Sequence, residues 1–170
     1  MSDYTHLLVE PGQGESIHTM TIKARAEQLG GDFSIMQATV EPHQLLPPHT
    51  HLHEDQAVFI IDGELEFEIG GAGGLRFSAG PGDVVLKPRG ISHGFWNIGD
   101  VVVRYIELSG QNGFERFIDG RKDGVEAFVR NAQEELGMQL HVERIPQLLR
   151  EHGLTQLAGS NIELPPELLG

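Results

Sequence analysis

Gly82-Asp83-Val84-Val85-Leu86-Lys87-Pro88-Arg89-Gly90-Ile91-Ser92-His93-Gly94-Phe95-Trp96-Asn97 decides how the rest of the chain is read. Val84-Val85-Leu86 is an apolar run of strand length, and a second strand begins near His93. Between them Pro88 presets φ and Gly90 accepts a positive φ, so the chain reverses through a stiff turn. That turn delivers His93 to the start of the returning strand.

Working outward, the same grammar recurs. Ile17 to Lys23 and Phe33 to Val40 alternate apolar and polar residues. Ala57 to Ile61 is a short apolar run, Glu64 to Ile69 alternates strictly, Leu75-Arg76-Phe77 follows, and Val101 to Leu108 completes the set. Turn signals separate them, among them Gly30-Gly31-Asp32, Asp62-Gly63, Gly70-Gly71-Ala72-Gly73-Gly74 and Gly80-Pro81-Gly82-Asp83. Short strands at this spacing predict an all-β fold, an antiparallel sandwich or barrel.

Past Gly113 the period becomes helical. Phe114, Phe117 and Ile118 share a face, and Val125, Phe128, Val129, Ala132 and Leu136 mark a helix closed near Gly137. Ile145, Leu148 and Leu149 mark another, stopped by Gly153, and Pro165-Pro166 sits in the final segment. The expected organisation is a β-barrel over 1–112, a helical extension packed on it over 113–160, and an extended tail over 161–170. About 55 residues rarely bury enough apolar surface to stand alone.

Composition narrows the function. Twelve basic against 25 acidic residues give a formal net charge of −13, which repels phosphate backbones and anionic lipid. The expectation is no nucleic-acid partner and no membrane partner. Zero Cys removes disulfides, thiolate metal sites and cysteine nucleophiles. Met1 to Ser16 carries neither a basic start nor an apolar run, so a cytoplasmic location is expected. Nine histidines are many for 170 residues, and four of them, His49, His51, His53 and His93, fall in one window.

The window Pro47-Pro48-His49-Thr50-His51-Leu52-His53-Glu54-Asp55-Gln56 carries the chemistry. On a strand His49 and His51 point the same way, about 7 Å apart, a spacing that suits neighbouring positions around a metal. His93, arriving from a facing strand, completes a three-nitrogen set. Gly70 to Gly74 opens no helix with a Lys and reads as a hairpin rather than a phosphate cradle. Glu64, Glu66 and Glu68 read as a solvated strand face. Phe95 shares the face of His93 and belongs either to the site or to the core.

These two segments resemble the paired motifs of the cupin superfamily. The first runs His-x-His, four residues, an acid, six residues, Gly; here it reads His49, His51, Gln56 and Gly63. The second runs Gly, five residues, Pro-x-Gly, two residues, His, three residues, Asn, and is met in full by Gly82, Pro88, Gly90, His93 and Asn97. The resemblance extends over roughly residues 15–110 and implies a cupin-type antiparallel β-barrel or jelly roll, with C-terminal helices outside. Gly113-Phe114-Glu115-Arg116-Phe117 and Arg150-Glu151-His152-Gly153-Leu154 resemble the C-terminal region of small bacterial quercetin 2,3-dioxygenase-like cupins.

What the resemblance implies is one divalent transition metal (Fe, Ni, Mn, Cu or Zn) held by His49, His51, His93 and Gln56, and a small-molecule substrate. It implies a quercetinase-like dioxygenase acting on an aromatic or enolisable compound; the alternatives are a metal-dependent isomerase, cyclase or lyase, and a non-catalytic binding protein. A homodimer is the expected assembly. Gln56 departs from the pattern, since an amide oxygen is a weaker ligand than a carboxylate and cannot act as a base. Three readings of Gln56 stand: ligand through its oxygen, donor behind a three-His site, or mark of a site without metal. Gln56, His53 and Glu54 are the candidate catalytic residues, with His53, Glu54 and Asp55 able to compensate for the missing acid.

Overall fold

The computed structural model describes residues 7–17, 19–120 and 137–158. The predicted helix over Val125 to Leu136 and the predicted tail over 161–170 lie outside these residues. Alternation becomes strand throughout the first 110 residues: β1 (Glu15–Ile17), β2 (Met20–Ala24), β3 (Phe33–Val40), β4 (Gln44–His51), β5 (Gln56–Asp62), β6 (Leu65–Ile69), β7 (Leu75–Ala79), β8 (Val84–Lys87), β9 (His93–Trp96) and β10 (Val103–Gly110). The single alternating segment expected over Ile17 to Lys23 is a tight hairpin, with Ile17 paired to Met20.

Two six-stranded sheets result. One has the order β1-β2-β3-β10-β5-β8; the other contains β4-β9-β6-β7. Residues at alternate positions point between them. Met36, Ala38 and Val40 from β3, Val58 and Ile60 from β5, Phe67 from β6, Phe95 from β9 and Tyr105 from β10 form one buried core. Phe95 is fully buried there, its ring 5.1 Å from Phe67 and 5.5 Å from Tyr105, centroid to centroid.

Beyond the barrel, α1 (Gly113–Gly120) and α2 (Ile145–His152) are helical as the periodicity predicts. The C-terminal region is not purely helical, however. β11 (Met138–Leu140) pairs antiparallel with β4, and β12 (Gln156–Leu157) pairs parallel with it. The reason is that β4 would otherwise present a row of free N–H and C=O groups along one edge. Leu148, Leu149 and Leu154 then cover Leu45 and Trp96 in a second small core on the outside of that sheet.

Of Glu64, Glu66 and Glu68, read as a solvated face, Glu64 is exposed, but the cover half-buries Glu66 and buries Glu68. Glu68 is 1% exposed and lies 2.7 Å from Arg76 and 2.8 Å from Arg144. Trp96 Nε1 donates to Glu66 at 2.9 Å. A segment arriving from far along the chain supplies the cation that makes the buried carboxylate tolerable. Among the described residues no helix is long and apolar enough to cross a membrane.

Candidate metal centre

Pro47-Pro48 shapes the site before any histidine is considered. Proline has no N–H to donate, so a ladder must break around it. Between Leu46 and His49 on β4 there are three steps, but only two between their partners Phe95 and His93 on β9. The extra residue is a bulge, which re-aims the side chains after it. Leu46 opposes Phe95 and His49 opposes His93, so both keep to the barrel interior. Gly94 accommodates the detour, because a Cβ at that position would meet Pro48 at 3.1 Å.

The bulge gathers His49, His51 and His93, all buried, with one ring nitrogen from each within 4.8 Å of the others. Ring centroids are 4.4 Å apart for His49 and His93 and 5.0 Å for His49 and His51. Each Nδ1 has an acceptor. His49 Nδ1 lies 2.8 Å from the Pro47 carbonyl, His93 Nδ1 3.1 Å from the Ile91 carbonyl, and His51 Nδ1 2.9 Å from Glu54 Oε1. An acceptor at Nδ1 places the proton there and leaves the lone pair on Nε2.

Burial keeps these rings neutral. It pushes His49 and His93 well below the usual histidine range, and the neighbouring rings and Lys87 add to the effect. His51 is lowered to about 3, again chiefly by burial. Three neutral imidazoles with Nε2 free are what a metal requires of its ligands.

Glu54 sits behind His51. Its Oε2 accepts the Phe114 N–H at the start of α1, at 3.1 Å, and Gln56 Nε2 reaches Oε1 at 3.4 Å. Burial raises this carboxyl to about 7, against the lowering effect of the Phe114 hydrogen bond. The helix fits because residue 113 is glycine; a Cβ there would stand 2.5 Å from Glu54 Oε2.

Gln56 lies on β5 with both amide hydrogens directed away from its oxygen. Nε2 donates to Ser109 Oγ at 3.2 Å and to Glu54. His51 Nε2, His93 Nε2 and Gln56 Oε1 are all buried acceptors with no partner in the protein. A buried orphan of this kind costs about 1–3 kcal/mol. One cation satisfies such acceptors, so the donor set fits a divalent transition metal.

The remaining candidates separate. His53 is exposed in the turn after β4, its ring beside Gly137, and does not join the cluster. Strand parity extends to His53 only if the strand continues, and β4 ends at His51. Asp55 is also exposed and pairs with Arg89 at 2.8 Å. Sequence reasoning passed over Lys87 and Glu107, buried 2.6 Å apart, and Ser109. Inward parity with Val85 on β8 was the available signal for Lys87.

Two antiparallel sheets enclosing three inward histidines from adjacent strands are consistent with a jelly roll of the cupin type. Residues 36–109 match the cupin domain family, which supports a place in the cupin superfamily. A predicted oxalate decarboxylase from Thermotoga maritima is similar over 54% of this chain and 78% of its own, at 20% identity and a TM-score of 0.50. A protein with a double-stranded β-helix domain from Klebsiella pneumoniae is 23% identical over 61% of this chain and 84% of its own, with a TM-score of 0.48. A putative sugar phosphate isomerase from Acidithiobacillus ferrooxidans is 20% identical over 59% and 69%, also at 0.48. At these identities the likeness concerns the fold alone. No curated protein sequence matches the chain.

Proposed function

We propose that the protein is a metal-dependent cupin dioxygenase of the quercetinase-like kind, acting on a small aromatic or enolisable substrate. The observation that carries the metal site is the cluster of three buried histidines, each with Nδ1 beside an acceptor, in which His51 and His93 leave Nε2 without a partner. His49, His51 and His93 hold the ion through Nε2, and Gln56 offers its orphaned oxygen. A bound divalent transition metal supplies Lewis acidity toward a substrate oxygen.

The proton must go elsewhere than Gln56, since an amide cannot accept it. Glu54 takes that role in this reading. Its carboxyl, raised to about 7, is of the right strength to accept a proton near neutrality. The same contact, 2.9 Å to His51, also holds that ring in its ligating orientation.

Gln56 favours a second reading as well. Without a carboxylate among the ligands, the site also suits a metal-dependent isomerase, cyclase or lyase that uses no O₂. Metal analysis of the purified protein, followed by oxygen-electrode measurements with enolisable phenols and diketones, tests the proposal. About one metal per chain and substrate-dependent O₂ uptake are expected. Substrate consumption without O₂ uptake would move the assignment to the second reading.

A further inference from the structure

Lys87 is the group that the metal reading leaves without a task. On β8 the alternation places Val84 and Leu86 outside and Val85 and Lys87 inside. Lys87 is paired in register with Gln56 on β5, whose other neighbour is Ser109 on β10. Its side chain is 1% exposed, and Nζ lies 2.6 Å from Glu107 Oε1. Nζ also stands 5.7 Å from the centre of the Phe95 ring. Phe95 is two residues beyond His93 on β9 and shares its inward face. The ammonium is therefore placed between the imidazole strands and the strand that carries Gln56.

Two features make this more than a buried ion pair. An ammonium has three N–H donors, and the ion pair with Glu107 can occupy at most one of them. The ring of Phe95 attracts the charge but accepts no ordinary hydrogen bond. Nζ has no further acceptor among the described residues. Meanwhile the candidate ligands, three neutral imidazoles and one amide, carry no negative charge. A divalent ion held by them keeps its full charge, and Lys87 with Glu107 adds none to cancel it.

We propose that Lys87 is a substrate-binding residue and that the site takes a small organic anion, one oxygen facing the histidine-held metal and another accepting from Lys87 Nζ. Carboxylates and enolates have this form. The proposal rests on the metal reading above and narrows its substrate class from enolisable compounds in general to those bound as anions. Glu107, 2.6 Å away, holds the ammonium in place while the site is empty of substrate.

The test uses the full chain and acetate as the anionic probe, with acetamide as its neutral counterpart. Lys87→Met alone leaves Glu107 buried without a partner and can fail to fold, so Lys87→Met is combined with Glu107→Gln. Calorimetric titrations compare wild type and the double variant, each chelated and then reloaded with Co²⁺. The expected result is equal Co²⁺ loading, with acetate bound about 10- to 100-fold more weakly by the double variant and acetamide nearly unaffected. Equal acetate affinity in two proteins that load Co²⁺ equally would overturn the proposal and leave the metal site intact. If wild type takes up no Co²⁺, the metal reading fails, and the chelated arm then decides Lys87 separately. A loss of acetate binding in that arm supports the ammonium as an anion site, and no difference overturns it.

Discussion

On one side of the barrel interior, β4 and β9 bury three clustered imidazoles, and the Nε2 atoms of His51 and His93 have no partner in the protein. On the other side, β5, β8 and β10 bury Lys87 against Glu107 and tie the Gln56 amide to Ser109 and Glu54. Both sides remove polar atoms from water, which is costly unless each atom is satisfied. The second side pairs its charges with one another but still leaves Gln56 Oε1 and Glu107 Oε1 without a hydrogen bond. The first leaves His51 Nε2 and His93 Nε2 unsatisfied, because each ring already directs Nδ1 to an acceptor. The difference lies in the chemistry of the two sides: clustered neutral imidazoles offer lone pairs to a cation, whereas the paired charges opposite leave the net charge of the interior unchanged.

Breaking the imidazole side gives the largest effect. His51→Ala removes one ligand and should lower retained metal from about one ion per chain to below about a tenth of that after dialysis. Elemental analysis of both proteins reads it, and equal occupancy would take His51 out of the site.

Breaking the opposite side shows in stability rather than metal. Lys87→Met leaves a buried carboxylate uncompensated and should cost about 3–5 kcal/mol. The double change with Glu107→Gln should recover most of this in urea unfolding. A single variant within about 1 kcal/mol of wild type would mean that Glu107 finds another partner or takes a proton.

Acid sharpens the comparison further. In chelated protein the folded histidines resist protonation, while in the unfolded chain they titrate near 6.5. Below that pH the unfolded state gains protons that the folded state refuses, so stability falls as pH falls. Glu54, raised to about 7, works in the opposite sense, since the folded state holds its proton more tightly between pH 7 and the unfolded value of 4.5. Three histidines against one carboxyl predict a net loss of about 2–3 kcal/mol per pH unit below 6.5. Urea midpoints measured from pH 7.5 to 5 check the slope, and a flat profile would contradict the neutral, buried state of the rings.

The smallest effect belongs to the contact that joins the two sides. Glu54→Gln keeps an oxygen near His51 but removes the charge, and should weaken metal binding about tenfold. Competition with a chromophoric chelator measures it. Unchanged affinity would make Glu54 a filler under α1 rather than the residue that orients His51.

Much of this was legible in the chain. Alternation over Phe33 to Val40 and Val101 to Leu108 predicts strands, and strands are found at Phe33–Val40 and Val103–Gly110, although the inward positions of the second include Glu107 and Ser109. The spacing of His49, His51 and His93 predicts a cluster, and the rings do meet. What escaped depends on partners distant in sequence. Glu54 is buried because the Phe114 N–H reaches it from 60 residues away, and Glu68 because Arg144 does so across 76. Neither partner announces itself locally. The bulge at Pro47-Pro48 escaped for a different reason: proline predicts a break in the ladder, but its direction is set by the strand alongside.

The pairing of β11 and β12 with β4 has a temporal consequence. Thr50 Oγ1 and His141 Nε2 meet at 2.8 Å across a separation of 91 residues. A ribosome therefore delivers the ligand strand well before the segments that close its edge. Until they arrive, β4 is an open template that can pair with any passing strand. Loop closure of this length is slow to be rewarded, so the seam beside the histidine strand closes later than the pairing of β4 with β9 that brings the rings together. A chain truncated before Met138 therefore loses the seam beside the histidine strand while keeping His49, His51, Gln56 and His93.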